Sequence, residues 1–138
     1  MLKFIVLCSM VSAFSVQAET VTLNFSNLGS ETGQLAVAVF SDPDAFPDQA
    51  SGALLTAFYP LNTPVTLDLK PGHYALATYL DANMNRRLDK NIIGIPKERF
   101  GFSKNPRVTT SAPNFSECEF EVVEGKDQEL FIRLVKFL

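Results

Sequence analysis

One histidine, two cysteines and no tryptophan leave this 138-residue chain short of the side chains on which most reactive sites are built. With His73 alone, Ser–His–Asp triads have a single available base, and His-based zinc sites and HExxH motifs lack their second ligand. Lying beside Tyr74 at the start of an apolar run, His73 reads as a strand-edge side chain rather than a general base. Cys8 falls inside an apolar leader, so Cys118 stands alone in the remainder and no intramolecular disulfide is expected. Cys118 alternates with Phe120 and Val122, which predicts a buried small hydrophobe on a strand. An excess of basic charge is also missing. Twelve Lys and Arg against fifteen Asp and Glu give a net charge of −3. That excludes the basic footprint of a nucleic-acid binder and a polybasic membrane signal.

Only one long apolar run is present, and it is at the start. Met1-Leu2-Lys3 is a short basic opening, and Phe4 to Phe14 has the length of a signal-peptide core. Val16-Gln17-Ala18 places small side chains where a signal peptidase needs them, so cleavage after Ala18 is expected. The run is too short to span a bilayer comfortably. Removing residues 1–18 from 138 takes away Lys3 and no acid, leaving 120 residues with a formal charge of −4. The expected product is one exported domain, periplasmic or secreted, with no membrane span after cleavage.

Beyond residue 18 the chain has period two almost throughout. Val21, Leu23 and Phe25 alternate with Thr22, Asn24 and Ser26, the pattern of a half-buried strand. Gln34 to Phe40 is apolar on both faces, as a central strand with cover on each side would be. Leu54 to Tyr59, Pro64 to Leu69, His73 to Leu80, Glu117 to Val123 and Gln128 to Phe137 complete about seven strands. Ala45 to Gly52 reads as a loop holding one helical turn. Tyr74, just after the Lys70-Pro71-Gly72 turn, is placed to hydrogen-bond back in the manner of a tyrosine corner. The class is all-β: a single antiparallel sandwich of two face-to-face sheets with one long loop insertion after Leu80. Leu35, Val37, Val39, Leu67, Leu76, Phe120, Ile132 and Leu134 are the expected core.

That insertion carries the chemistry. Asp81, Asn83, Asn85 and Asp89 place short oxygen-bearing side chains at alternate positions, as a calcium loop does at its positions 1, 3, 5 and 9. Ile92 stands where such a loop needs a bidentate carboxylate, and Arg86 and Arg87 add positive charge. Glu98 is the candidate to close the shell. The same residues also form Asx turns and cap backbone N–H groups without any metal. A weak Ca²⁺ site at Asp81, Asn83, Asn85 and Asp89, with Glu98, is therefore one expectation, and a self-bonded loop the other. Phe100 and Phe102, flanked by Arg99 and Arg107, either stack on a ligand or fold the loop back onto the sheet; the second is favoured.

The chain resembles the domain of unknown function 2141 family, a set of small exported bacterial proteins. The resemblance rests on Leu69-Lys70-Pro71-Gly72-His73-Tyr74, Asp81-Ala82-Asn83-Met84-Asn85, Leu88-Asp89, Gly94-Ile95-Pro96-Lys97-Glu98, Gly101-Phe102-Ser103 and Pro113-Asn114-Phe115. It covers about the middle third and implies a prealbumin-like or carboxypeptidase-regulatory-like β-sandwich with no established activity. The family pattern commonly has Gly after the second Asn, where this chain has Arg86. Two function classes are open to such a chain. One is a non-catalytic exported module whose Asp81–Ser103 loop binds a ligand, a cation or an envelope or extracellular protein, with no role for nucleic acid. The other is a hydrolase of an envelope polysaccharide using Asp89 or Glu98.

Overall fold

The computed structural model describes residues 10–137; the first nine residues of the expected leader lie outside the described residues. Residues 10–18 run without regular structure, and β1 begins at Glu19. Among the described residues there are eight strands: β1 (Glu19–Ser26), β2 (Gln34–Phe40), β3 (Leu55–Pro60), β4 (Val65–Leu69), β5 (Gly72–Asp81), β6 (Phe100–Phe102), β7 (Phe120–Val122) and β8 (Gln128–Arg133). A 3₁₀ turn spans Ala50–Gly52, and a one-turn helix, α1, spans Phe115–Cys118.

The strands form two sheets, ordered β4-β1-β8 and β3-β2-β5-β6, with β7 pairing β5 beyond that path. Alternation turns one face of each sheet inward. Val21, Leu23, Val65, Leu67 and Ile132 meet Leu35, Val37, Val39, Leu76 and Leu80 in one buried cluster. All eight expected core residues are buried. Truncating Val37 or Ile132 to Ala leaves a void that close-packed neighbours cannot fill. Each change should cost about 2–4 kcal/mol in urea unfolding, and near-neutral effects at both would show that these faces do not carry the core.

Three details differ from the sequence expectation. The sandwich is not wholly antiparallel: β1 pairs β8 in parallel, Leu23 opposite Leu130. Only neighbouring strands joined by tight turns are bound to run antiparallel, and these two are the first and last of the fold. Cys118 is buried as expected, but as the last residue of α1 rather than on a strand. Burial, then the Glu117 charge, pushes its thiol up to about 12, so it is inert. The long insertion contains β6, whose Phe100 and Phe102 pair with Tyr79 and Ala77. They fold the loop back onto the sheet.

Short polar links hold these pieces. The Tyr74 hydroxyl donates to the Lys70 carbonyl at 2.7 Å, the corner foreseen from the Pro-Gly turn. Buried Ser103 accepts from the Leu76 N–H and donates to the Cys118 carbonyl, tying β5, β6 and α1 together. A capping box starts α1: Asn114 accepts from the Glu117 N–H, and Glu117 accepts from the Asn114 N–H.

Candidate functional site

β5 ends by delivering Asp81 into a fully buried position between β2 and the loop that follows. A buried carboxylate requires donors, and three are present. Gln34 Nε2 donates to Oδ2 at 2.9 Å, Arg86 N to Oδ2 at 2.8 Å, and Asn85 N to Oδ1 at 3.1 Å. Asp81 thus anchors the loop to the first residue of β2. Gly33, just before that residue, lies against the same bend, where an added Cβ would come within 2.2 Å of the Asp81 carbonyl oxygen.

The other predicted residues gather beside it. Asn83 Nδ2 donates to Asp89 Oδ2 at 2.7 Å, and Asn85 Nδ2 donates to the two Asp89 oxygens at 3.0 and 3.1 Å. Asn83 and Asn85 each accept the N–H two residues on, which makes successive Asx turns. Asn91, not foreseen, does the same for Ile93 and also accepts from Ile95 N, shaping the loop tip. Buried Glu98 accepts from Ala82 N at 3.2 Å and Asp89 N at 3.4 Å. All five candidate residues therefore belong to one hydrogen-bonded loop, and each of their side-chain oxygens accepts a hydrogen bond from within the protein. Among the described residues, no three His, Cys, Asp or Glu side chains group as a metal-binding set.

The two outer carboxyls are tuned in opposite directions. Hydrogen bonds from Asn85 and Asn83 hold Asp89 below its ordinary 3.8, with Lys97 and Arg87 adding to this. Burial raises Glu98 above its ordinary 4.5. The signs differ for stability. Asp89 contributes stability that is present above 3.8 and is lost as pH falls through its lowered folded value. Glu98 keeps its proton better in the folded state, so its contribution weakens as pH rises from 4.5 through its raised value. Carbon NMR of the side-chain carboxyls should show Asp89 titrating below 3.8 and Glu98 above 4.5. The reverse order would mean that this hydrogen-bond network does not form in solution.

The loop does more than close on itself, since it walls a groove on the outer face of the five-stranded sheet. Register sets the floor. Phe58, Ala36, Tyr79 and Phe100 lie in one row across β3, β2, β5 and β6, and Thr56, Ala38, Ala77 and Phe102 in the next. The small side chains of Ala36, Ala38 and Ala77 leave a low floor between the aromatic rings of Phe58, Tyr79, Phe100 and Phe102. Arg86 to Pro96 forms one wall and Val108 to Ala112 another, enclosing about 910 Å³. This is within the usual range for small-molecule sites, roughly 300–1,000 Å³. β2 is covered on its second face at both ends, with Ala36 buried and Phe46, Phe102 and Phe115 packing around Phe40. Ala38 stays half-exposed in the groove.

Arg86 is the loop residue most directly tied to this surface. Its backbone is left-handed at φ 60°, a conformation that favours glycine, and its guanidinium lies 5.1 Å from the centre of the Phe58 ring. Arg87, Lys90 and Ile93 line the same groove, whereas Asp81, Asp89 and Glu98 do not. Tyr79 also lines it. Burial, then the charges of Asp81, Glu98 and Asp89, push its phenol up to about 12, so it keeps its proton as a donor. His73 lies away from the groove, exposed, with Nδ1 2.8 Å from Glu119 Oε1.

A two-sheet all-β domain with a groove on one outer face, walled by a self-bonded Asp/Asn loop, is the class that fold and site define. The chain belongs to a bacterial family: residues 23–130 match the model described as "Uncharacterized protein conserved in bacteria (DUF2141)". No curated protein and no solved structure matches the chain. Among the described residues no helix is long and apolar enough to cross a membrane.

Proposed function

We propose that this protein is an exported, non-catalytic binding module whose ligand seats in the outer-face groove, with the Asp81–Ser103 loop as its wall. The groove carries this reading. It is the large concavity bordered by that loop, and its floor is set by strand register rather than by mobile side chains. The polar cluster beneath it acts as scaffold: Asp81, Asn83, Asn85, Asp89 and Glu98 hold the loop in shape. The hydrolase alternative has less support. Glu98 has a raised pKa, but both its oxygens accept backbone N–H groups and it does not line the groove.

A thermal-shift panel of small molecules with apolar bodies, envelope sugars and cations on the mature protein tests this reading, because a native-state ligand raises apparent stability. Stabilisation by apolar-bodied compounds is expected, with NMR amide shifts at Ala36, Ala38, Ala77 and Phe102. Cleavage of an envelope polysaccharide that is lost in Glu98→Gln would establish the hydrolase instead. Export has its own check. Mass spectrometry of the native protein should find Glu19 at the N-terminus, and intact Met1 in the membrane fraction would refute cleavage.

A further inference from the structure

The groove's chemistry is divided. Its floor is apolar and aromatic: Ala36, Ala38, Ala77, Phe58 and Phe102. The loop side of its rim holds three cations, Arg86, Arg87 and Lys90, while Asp48 is the one carboxylate in the lining. That concentration of positive charge is set in a chain whose net charge is −3. Ile93, 74% exposed beside those cations, extends the apolar surface to the mouth. Arg86 keeps its left-handed backbone although a side chain there is unfavourable by roughly 1–2 kcal/mol. Its cation is held against Phe58, where the apolar floor meets the charged rim.

We infer that the groove takes a single-chain amphiphilic anion, with its alkyl tail along the alanine trough and its carboxylate or phosphate head at Arg86, Arg87 and Lys90. This rests on the groove reading above and specifies the ligand class. The tail covers the parts of the floor that still meet water, at Ala38, Ala77 and Phe58, together with Ile93 at the mouth, and the head completes charge-assisted hydrogen bonds that the rim leaves open. Apolar floor and cationic rim are each needed, because neither an uncharged tail nor a bare anion uses both.

Calorimetry on the mature protein tests this with four probes kept below micelle-forming concentrations: dodecanoate, dodecyl phosphate, dodecyl maltoside and inorganic phosphate. Arg86→Gly is the informative variant, since it removes the cation while relieving the left-handed backbone and so should fold at least as well. Dodecanoate or dodecyl phosphate should bind, and whichever is tighter identifies the head. Dodecyl maltoside should bind about tenfold more weakly or worse, inorganic phosphate should give no heat, and Arg86→Gly should weaken the anion by about tenfold or more. Ala38→Phe, which fills the trough, should abolish binding of every tail. Equal binding of dodecyl maltoside, unchanged in Arg86→Gly, would overturn the anionic head and leave the groove reading standing. Inorganic phosphate binding as tightly as dodecyl phosphate would overturn the role of the tail. No binding by any tailed probe would overturn both readings.

Discussion

Gly33→Ala should lower the stability of the domain by about 4 kcal/mol, although the change adds only one methyl group at a partly exposed position. Two costs combine. At φ 126° the Gly33 backbone occupies a region that L side chains rarely adopt, for which roughly 1–3 kcal/mol is expected. The new Cβ would also meet backbone on both sides of a bend, 2.2 Å from the Asp81 carbonyl oxygen and 2.7 Å from the Ala82 Cα. Backbone cannot rotate away as a side-chain tip can, so β2 must separate from the end of β5, adding an overpacking cost of about 1–3 kcal/mol. Gly94→Ala is the control. It too has a positive φ, 84°, but nothing lies within 4 Å of the added Cβ, so it should cost only about 1 kcal/mol. Urea midpoints for the two variants separate the contributions. Equal losses would show that the Gly33 contact relaxes freely and that β2 entry does not fix the loop.

Gly33 and Gln34 also mark the limit of what the sequence reveals. Alternation found β1 through β5 and β8, since five or more residues present two or more full periods. β6 has three residues and carries almost no periodic signal, whereas β7 is the end of the run Glu117 to Val123 expected as one strand, whose start is the last turn of α1. For α1 the readable cue was local: Asn114 and Glu117 stand at capping-box spacing. The parallel β1–β8 pair was not legible because strand partners at opposite ends of a chain are chosen by packing. The loop residues Asp81, Asn83, Asn85, Asp89 and Glu98 were legible as a set because they share one segment and one chemistry. The groove was not. Ala36, Phe58, Tyr79 and Phe100 lie on four different strands, and only the register sets them in one row. Arg86 was visible as a departure from the family's glycine, and its reason appears only with its φ and the Phe58 ring beneath it.

Asp81→Ala should be nearly as damaging, and it decides what the loop is for. The substitution strands three donors at a fully buried position: Gln34 Nε2 and the N–H groups of Asn85 and Arg86. Each buried unsatisfied donor costs about 1–3 kcal/mol. Partial entry of water at the loop limits the total to about 3 kcal/mol, a fall of roughly ten degrees in Tm for a domain of this size. Asp81→Asn, which keeps an acceptor, should lose less. Calcium makes the experiment decisive. If these oxygens are committed to N–H donors, as the scaffold reading requires, Asp81→Ala loses the same stability with and without several millimolar calcium. A Ca²⁺ site would behave differently: at about ten times its dissociation constant the ion would stabilise the unmutated protein by about 1.4 kcal/mol. Asp81→Ala would then erase that gain in addition to its structural loss. Such an ion would have to displace the Asn83 and Asn85 amide groups from Asp89. A calcium-dependent gain in Tm would therefore also shift the Asn83 and Asn85 side-chain amide resonances, and finding both changes would replace the scaffold reading with a cation site.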